Sequence, residues 1–107
     1  MDSLFSILEN KKEVNYKIIT ISLADKNHPL FKAHFPNNEI LAGFLQIDII
    51  ATILEHRIKK IKKSKFISIV KPNDIIKYYI ESKDGISYKV IIKNKEDKKI
   101  SEFSYEI

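Results

Sequence analysis

Between Leu30 and Asp48 the chain reads LFKAHFPNNEILAGFLQID, which sets His34, a Phe35-Pro36 turn, Gly43 and Asp48 in one continuous segment. Histidine titrates nearest to neutral pH and suits the role of general base. A carboxyl group held in apolar surroundings keeps its proton to higher pH and can act as the complementary acid. Asp48, flanked by Ile47 and Ile49, has that setting in the sequence. Gly43 and Phe44 fall where a helix begins, and unpaired N–H groups at a helix start stabilise developing negative charge. Glycine also lets another group approach the backbone closely. A base, an acid and an oxyanion donor are the parts needed to work on a thioester.

The elements that must hold these groups can be read from periodicity. Asp2 or Ser3 can cap a short N-terminal helix over residues 1–12, carrying Leu4, Phe5, Ile7 and Leu8. Val14 to Ala24 is dense in β-branched residues and alternates as a strand does. Asp25 to Asn38 contains Pro29 and Pro36 among turn-forming residues and reads as a loop. A long central helix is expected over residues 39–63, on the i, i+4 row Leu41, Leu45, Ile49 and Ile53. Its basic end, EHRIKKIKKSK, complements the helix dipole and should emerge into solvent.

Four strands should follow: Lys65 to Val70, Ile75 to Glu81, a strand from Ile86 after the Asp84-Gly85 hairpin signal, and a last one carrying Phe103, Tyr105 and Ile107. The expected fold class is α+β, a single domain in which an antiparallel sheet of about five strands wraps a long helix.

Composition narrows the field. With 107 residues the chain is long enough for one domain and one modest core. It has no cysteine, which excludes disulfides and thiolate metal sites and agrees with a cytoplasmic setting. The apolar run from Ile40 to Leu54 is broken by Gln46, Asp48 and Thr52 and is too short for a membrane span, and the N-terminus lacks the basic region of a secretory signal. The net charge of +5 rests on 18 lysines and a single arginine spread along the chain. Nucleic-acid contacts favour arginine, so a solvated basic surface, or one that steers an acidic protein partner, is the better reading.

The central segment and this element order resemble the hotdog-fold beta-hydroxyacyl-acyl-carrier-protein dehydratases, above all the short members associated with aryl-polyene pathways. Their pattern is similar to HFPGxPxxPG, followed by a helix whose carboxylate lies fourteen positions after the histidine; His34, Phe35, Pro36, Gly43 and Asp48 match it. Lys65-Phe66 with Val70 to Asp74 resembles the strand-turn segment after the helix. Asn37, Glu39 and Ala42 depart from the pattern, standing where it has one glycine and two prolines.

The resemblance implies His34 and Asp48 as catalytic residues. Gly43, Phe44, Phe35 and Pro36 would lie against the substrate, and no metal or other cofactor is called for. It further implies a homodimer in which His34 of one chain meets Asp48 of the other, with an acyl tunnel along the helices. The substrate would be a 3-hydroxyacyl thioester on acyl carrier protein, for which the Lys59-Lys60 and Lys62-Lys63 pairs are candidate docking points. A hotdog acyl thioesterase, or a degenerate hotdog that binds acyl chains or acyl carrier protein, remains the alternative. On residue type alone His34 is more often a hydrogen-bonded loop residue than a base, Asp48 can be a core carboxylate bonded to backbone or to a partner across an interface, and Gly43 can be a packing glycine. His28 reads as a surface turn residue and His56 as a solvated one.

Overall fold

In a computed structural model that describes residues 4–33 and 38–107, the described residues form six strands and two helices. In chain order they are β1 (Phe5–Lys12), β2 (Lys17–Leu23), α1 (Pro29–Ala33), α2 (Gly43–Leu54), β3 (Lys60–Phe66), β4 (Ile75–Glu81), β5 (Ser87–Asn94) and β6 (Lys99–Glu106). The strands form one antiparallel sheet in the order β1-β2-β4-β5-β6-β3.

Period-two alternation decides which face is inward. Ile19, Ile21 and Leu23 of β2, Ile76, Tyr78 and Ile80 of β4, Val90 and Ile92 of β5, and Phe103 and Tyr105 of β6 are buried, and they form one core cluster with Leu45, Ile49 and Ile50 of α2. The turns follow side-chain chemistry. Asp84 Oδ1 accepts the N–H groups of Ile86 and Ser87, which holds its carboxyl below the usual range, and Gly85 takes a φ of 73°. Asp74 Oδ2 accepts the Lys71 N–H while Asn73 adopts a φ of 69°.

Four expectations about the elements are corrected. The N-terminal helix over residues 1–12 is instead the edge strand β1, with a bulge between Ile7 and Glu9. The helix expected over 39–63 runs only from Gly43 to Leu54. It stops where Glu55 enters the left-handed region at φ 57°, with the His56 N–H bonded back to the Ala51 carbonyl oxygen. The lysine-rich remainder is the extended β3, which begins at Lys60 and ends at Phe66, short of Val70. Within the loop, Pro29 to Ala33 forms the short helix α1, which buries Phe31 and begins on His28, whose ring Nδ1 accepts the Leu30 N–H. The sheet therefore has six strands, and its helix spans 12 residues.

Candidate active site

The start of α2 is anchored from below. Gln46 is 2% exposed and is held on two sides: Ser101 Oγ donates to its Oε1 at 2.6 Å, and its Nε2 donates to the Leu41 carbonyl oxygen at 3.4 Å. Its own carbonyl oxygen accepts the Tyr78 hydroxyl at 2.8 Å. Burial pushes the Tyr78 phenol far above its ordinary range, so it stays a donor. The Leu41 N–H bonds to the Val70 carbonyl oxygen at 2.8 Å, fixing the approach to the helix. Side chains from β4 and β6 thus set the rotation of α2 about its axis.

That rotation turns Phe44, Asp48 and Thr52, spaced four residues apart, outward as one exposed row. Asp48 lies on open surface in the single chain, so the apolar setting expected from its neighbours is not supplied by its own subunit. Ile47 and Ile49 point into the core on either side of it. Ala42 precedes the helix without a side-chain cap, and the Gly43 and Phe44 N–H groups have no partner among the described residues. These are the donors expected at the helix start.

Gly43 has a steric reason to be glycine. A Cβ there would come within 2.6 Å of the Phe66 ring, which lies across the helix start from β3. The space through which a substrate was expected to approach Gly43 is therefore partly filled by Phe66 in the single chain. Phe66 appeared in the sequence only as a strand residue. Its position becomes visible once β3 is known to end at the start of α2.

The register of β3 on β6 sorts its side chains by face. Ile61, Ser64 and Phe66 pair with Tyr105, Phe103 and Ser101, which are buried, and so share the helix side. Lys60, Lys63 and Lys65 pair with Glu106, Ser104 and Glu102 on the outer side. Lys62 occupies the bulge between Ile61 and Lys63 and reaches Glu106 at 2.8 Å, which holds that carboxyl below its usual range. The lysine pairs expected at a solvated helix end thus belong to a strand edge. On the helix side an apolar surface stays open: Phe44 is 60% exposed, Phe66 44% and Ile61 49%.

His34, Phe35 and Pro36 lie outside the described residues, as does Asn37. His56, expected in solvent, packs instead at the far end of α2. Its Nδ1 is 2.7 Å from the Tyr105 hydroxyl and its ring centroid is 4.4 Å from that of Tyr88. Desolvation, with Lys17 nearby, lowers its pKa from the ordinary histidine value. Among the described residues there is no cluster of three or more His, Cys, Asp or Glu side chains able to hold a metal, and no helix long and apolar enough to cross a membrane.

Comparison with known proteins agrees with the geometry. The profile of a family described as ApeI-like, ApeI dehydratase, matches residues 9–104. The 3-hydroxyacyl-[acyl-carrier-protein] dehydratase FabZ of Caldicellulosiruptor bescii is 29% identical over 89 residues, covering 71% of this chain. The chain spans about 60% of the length of that relative. Among solved structures, the dehydratase heterocomplex ApeI:P from Xenorhabdus doucetiae superposes with a TM-score of 0.81 at 16% identity, covering 94% of this chain and 95% of that one. A hypothetical thioesterase with coenzyme A from Streptococcus pneumoniae superposes at 0.59 with 12% identity, covering 94% and 81%. The sheet and helix are thus those of the hotdog fold, as the sequence resemblance implied.

Proposed function

Because the chain belongs to the ApeI-like dehydratase family, we propose that it removes water from 3-hydroxyacyl thioesters carried on acyl carrier protein, giving trans-2-enoyl thioesters. The observation that carries this reading is Asp48 exposed on the helix that also offers the Gly43 and Phe44 N–H groups, which have no partner among the described residues, with Phe44 and Phe66 exposed as well. A carboxylate on an otherwise apolar open face gains the dry setting that acid catalysis needs when a second hotdog subunit closes over it. The solved relative from Xenorhabdus doucetiae is a dehydratase heterocomplex, which supports a second subunit here.

In the proposed reaction the His34 imidazole of one subunit takes the proton from C2, and the electron pair moves to form the C2–C3 double bond. Charge that accumulates on the thioester oxygen is met by the Gly43 and Phe44 N–H groups. The C3–O bond breaks as Asp48 of the other subunit donates a proton, so the leaving group departs as water. Phe35 and Pro36 would line the approach to His34. No step calls on a metal or diffusible cofactor.

Mass spectrometry of a 3-hydroxyacyl thioester on acyl carrier protein tests this directly, with loss of one water as the expected product signature. His34→Ala and Asp48→Asn should each lower turnover by about 10²-fold or more, the usual contribution of a positioned acid or base. Free thiol released without enoyl product would support the thioesterase alternative. Turnover that is indifferent to both substitutions would reject the assignment of these residues.

A further inference from the structure

The inner face of the sheet changes character where α2 stops. Ile19, Ile21 and Leu23 of β2 line it beneath the helix, and the next inward position of that row is Lys17, paired with the buried Ile80 of β4. The register of β1 sets Lys12 directly across from Lys17, so both lysines belong to the inner side. Like charges opposed across antiparallel strands repel, and neither lysine has an ion pair within 4 Å among the described residues. Glu13, the adjacent carboxylate, is held by Lys11 at 3.2 Å. Two ammonium groups without a counter-charge thus sit at one end of the inner face.

They border a cavity of about 370 Å³, within the size range of small-molecule sites. Leu54 and His56 line it from the helix end, and Ile80 and Tyr88 from the sheet. The His56 ring is fixed by its neighbours: Tyr88 packs on it at 4.4 Å, and the Tyr105 hydroxyl lies 2.7 Å from Nδ1. Burial holds that phenol well above its ordinary pKa, so it keeps its proton to donate. Donation into Nδ1 puts the ring proton on Nε2, which has no hydrogen-bond partner among the described residues and is the nitrogen left for the cavity. Lys17 is close enough to lower the His56 pKa, and burial lowers it further.

The negative end of the helix is partly covered here, because the Glu55 and His56 N–H groups turn back onto the Thr52 and Ala51 carbonyl oxygens. The cavity also lies away from the exposed row of Phe44, Asp48 and Thr52. Leu54 stands six residues beyond Asp48, which is about 9 Å along the helix and about 120° around it.

We propose that this cavity is a second ligand site, taking a small organic anion whose oxyanion head is held by Lys12, Lys17 and the His56 Nε2–H and whose apolar body rests on Leu54, Ile80 and Tyr88. The inference goes beyond the dehydration reaction and does not depend on it. Carboxylates and phosphate monoesters share the head-group chemistry, since both accept from ammonium and imidazole donors. A bound anion also relieves the repulsion between the two opposed lysines.

Octanoate and octyl phosphate are the probes, with octanamide as the uncharged control, and binding to the whole chain is measured by isothermal titration calorimetry. At least one anion should bind with a dissociation constant below about 1 mM. Binding of octanoate alone identifies a carboxylate occupant, and binding of octyl phosphate alone a phosphate monoester. The double variant Lys12→Gln, Lys17→Gln should weaken binding by about tenfold or more and His56→Gln by about threefold or more, while Asp48→Asn leaves it unchanged. Octanamide should bind about tenfold more weakly than the anion, and added salt should weaken the anion alone.

The bound anion should also raise the pH at which the His56 ring titrates, read from its imidazole NMR signals. The groups that face the ring are the ammonium groups of Lys12 and Lys17, the Glu13 carboxylate and the uncharged phenols of Tyr88 and Tyr105, with Glu55 and Arg57 beside it in the chain. Circular dichroism and urea unfolding check each variant, and the double lysine variant should unfold at the same midpoint or a higher one, having lost a like-charge pair.

Anion binding that survives the lysine and His56 substitutions, or that is lost in Asp48→Asn instead, places the ligand elsewhere and overturns the inference. Octanamide binding as tightly as octanoate overturns it too, as does failure of both anions to bind below about 1 mM. Wild-type anion binding that is indifferent to salt overturns it without recourse to any variant.

Discussion

The link from β6 through Gln46 to the helix start should behave as a coupled pair of groups. Gln46→Leu nearly conserves volume but leaves the hydroxyl of Ser101, which is fully buried, without its 2.6 Å acceptor, and frees the Leu41 carbonyl oxygen. An unpaired buried hydroxyl costs about 1–3 kcal/mol, and the long 3.4 Å bond to Leu41 adds at most about 1 kcal/mol, so the substitution should cost roughly 2–3 kcal/mol. For a domain of this size that is a fall in Tm of about 10–20 °C. Ser101→Ala alone should cost about 1–2 kcal/mol, because it leaves the Gln46 oxygen unpaired.

The double variant should cost only about 1–2 kcal/mol, since removing both partners leaves no orphaned group between them. The cycle should therefore show a coupling of at least about 1 kcal/mol. Urea unfolding at one fixed protein concentration measures this, the concentration being held because association itself stabilises. Additive losses, or a Gln46→Leu cost below about 0.5 kcal/mol, would refute the idea that this bond sets the helix rotation.

Asp48→Asn, so damaging to turnover under the proposed function, should change unfolding free energy by less than about 0.5 kcal/mol, because its side chain is exposed in the single chain. Gly43→Ala should cost about 1 kcal/mol by displacing the Phe66 ring, and in a Phe66→Ala background that cost should vanish. Glu55→Gly should raise stability by about 0.5–1 kcal/mol, as glycine adopts the left-handed helix end without the steric cost. His56 has a folded pKa below its unfolded value, so the unfolded chain takes up its proton first as pH falls. Stability is then level above the unfolded pKa and declines below about 6.5 until the folded group titrates. His56→Gln should remove that part of the decline, read as a smaller loss of urea midpoint between pH 7.5 and 5.5.

Legibility followed burial. The strands that cover the core, Ile75–Glu81 and Ser87–Asn94, alternate cleanly because one face of each is inside, and their turns carry Asp-Gly and Pro-Asn-Asp signals. β1 is exposed along nearly its whole length and is bulged at Leu8, so its period is broken and its apolar residues fit a helical row as well as a strand. The helix end was hidden because Glu55 takes a conformation usually given to glycine. Beyond it, Ile58 and Ile61 prolonged the apolar helical spacing into what is an edge strand. Gln46 read as a polar interruption in an apolar run. Tyr78 and Ser101, both at inward positions of later strands, were the available sign that it had buried partners. His34 and Asp48 are proposed from residue type and resemblance, while the exposure of Asp48 depends on the rotation of a helix that only the packed sheet defines.

The bulge at Lys62 has a consequence for how this strand tolerates insertion and deletion. The extra residue shifts the alternation by one step, so that Lys63 and Lys65 stay outside and Phe66 stays over the helix start. Deleting Lys62 would leave an unbulged strand with the same residues on the same faces, whereas inserting one residue between Lys63 and Phe66 would point the phenyl ring to solvent and bare Gly43. The strand should therefore accept a loss of one residue at the bulge and reject a gain beyond it, a length asymmetry that a scan of single-residue indels would reveal where a scan of substitutions would not.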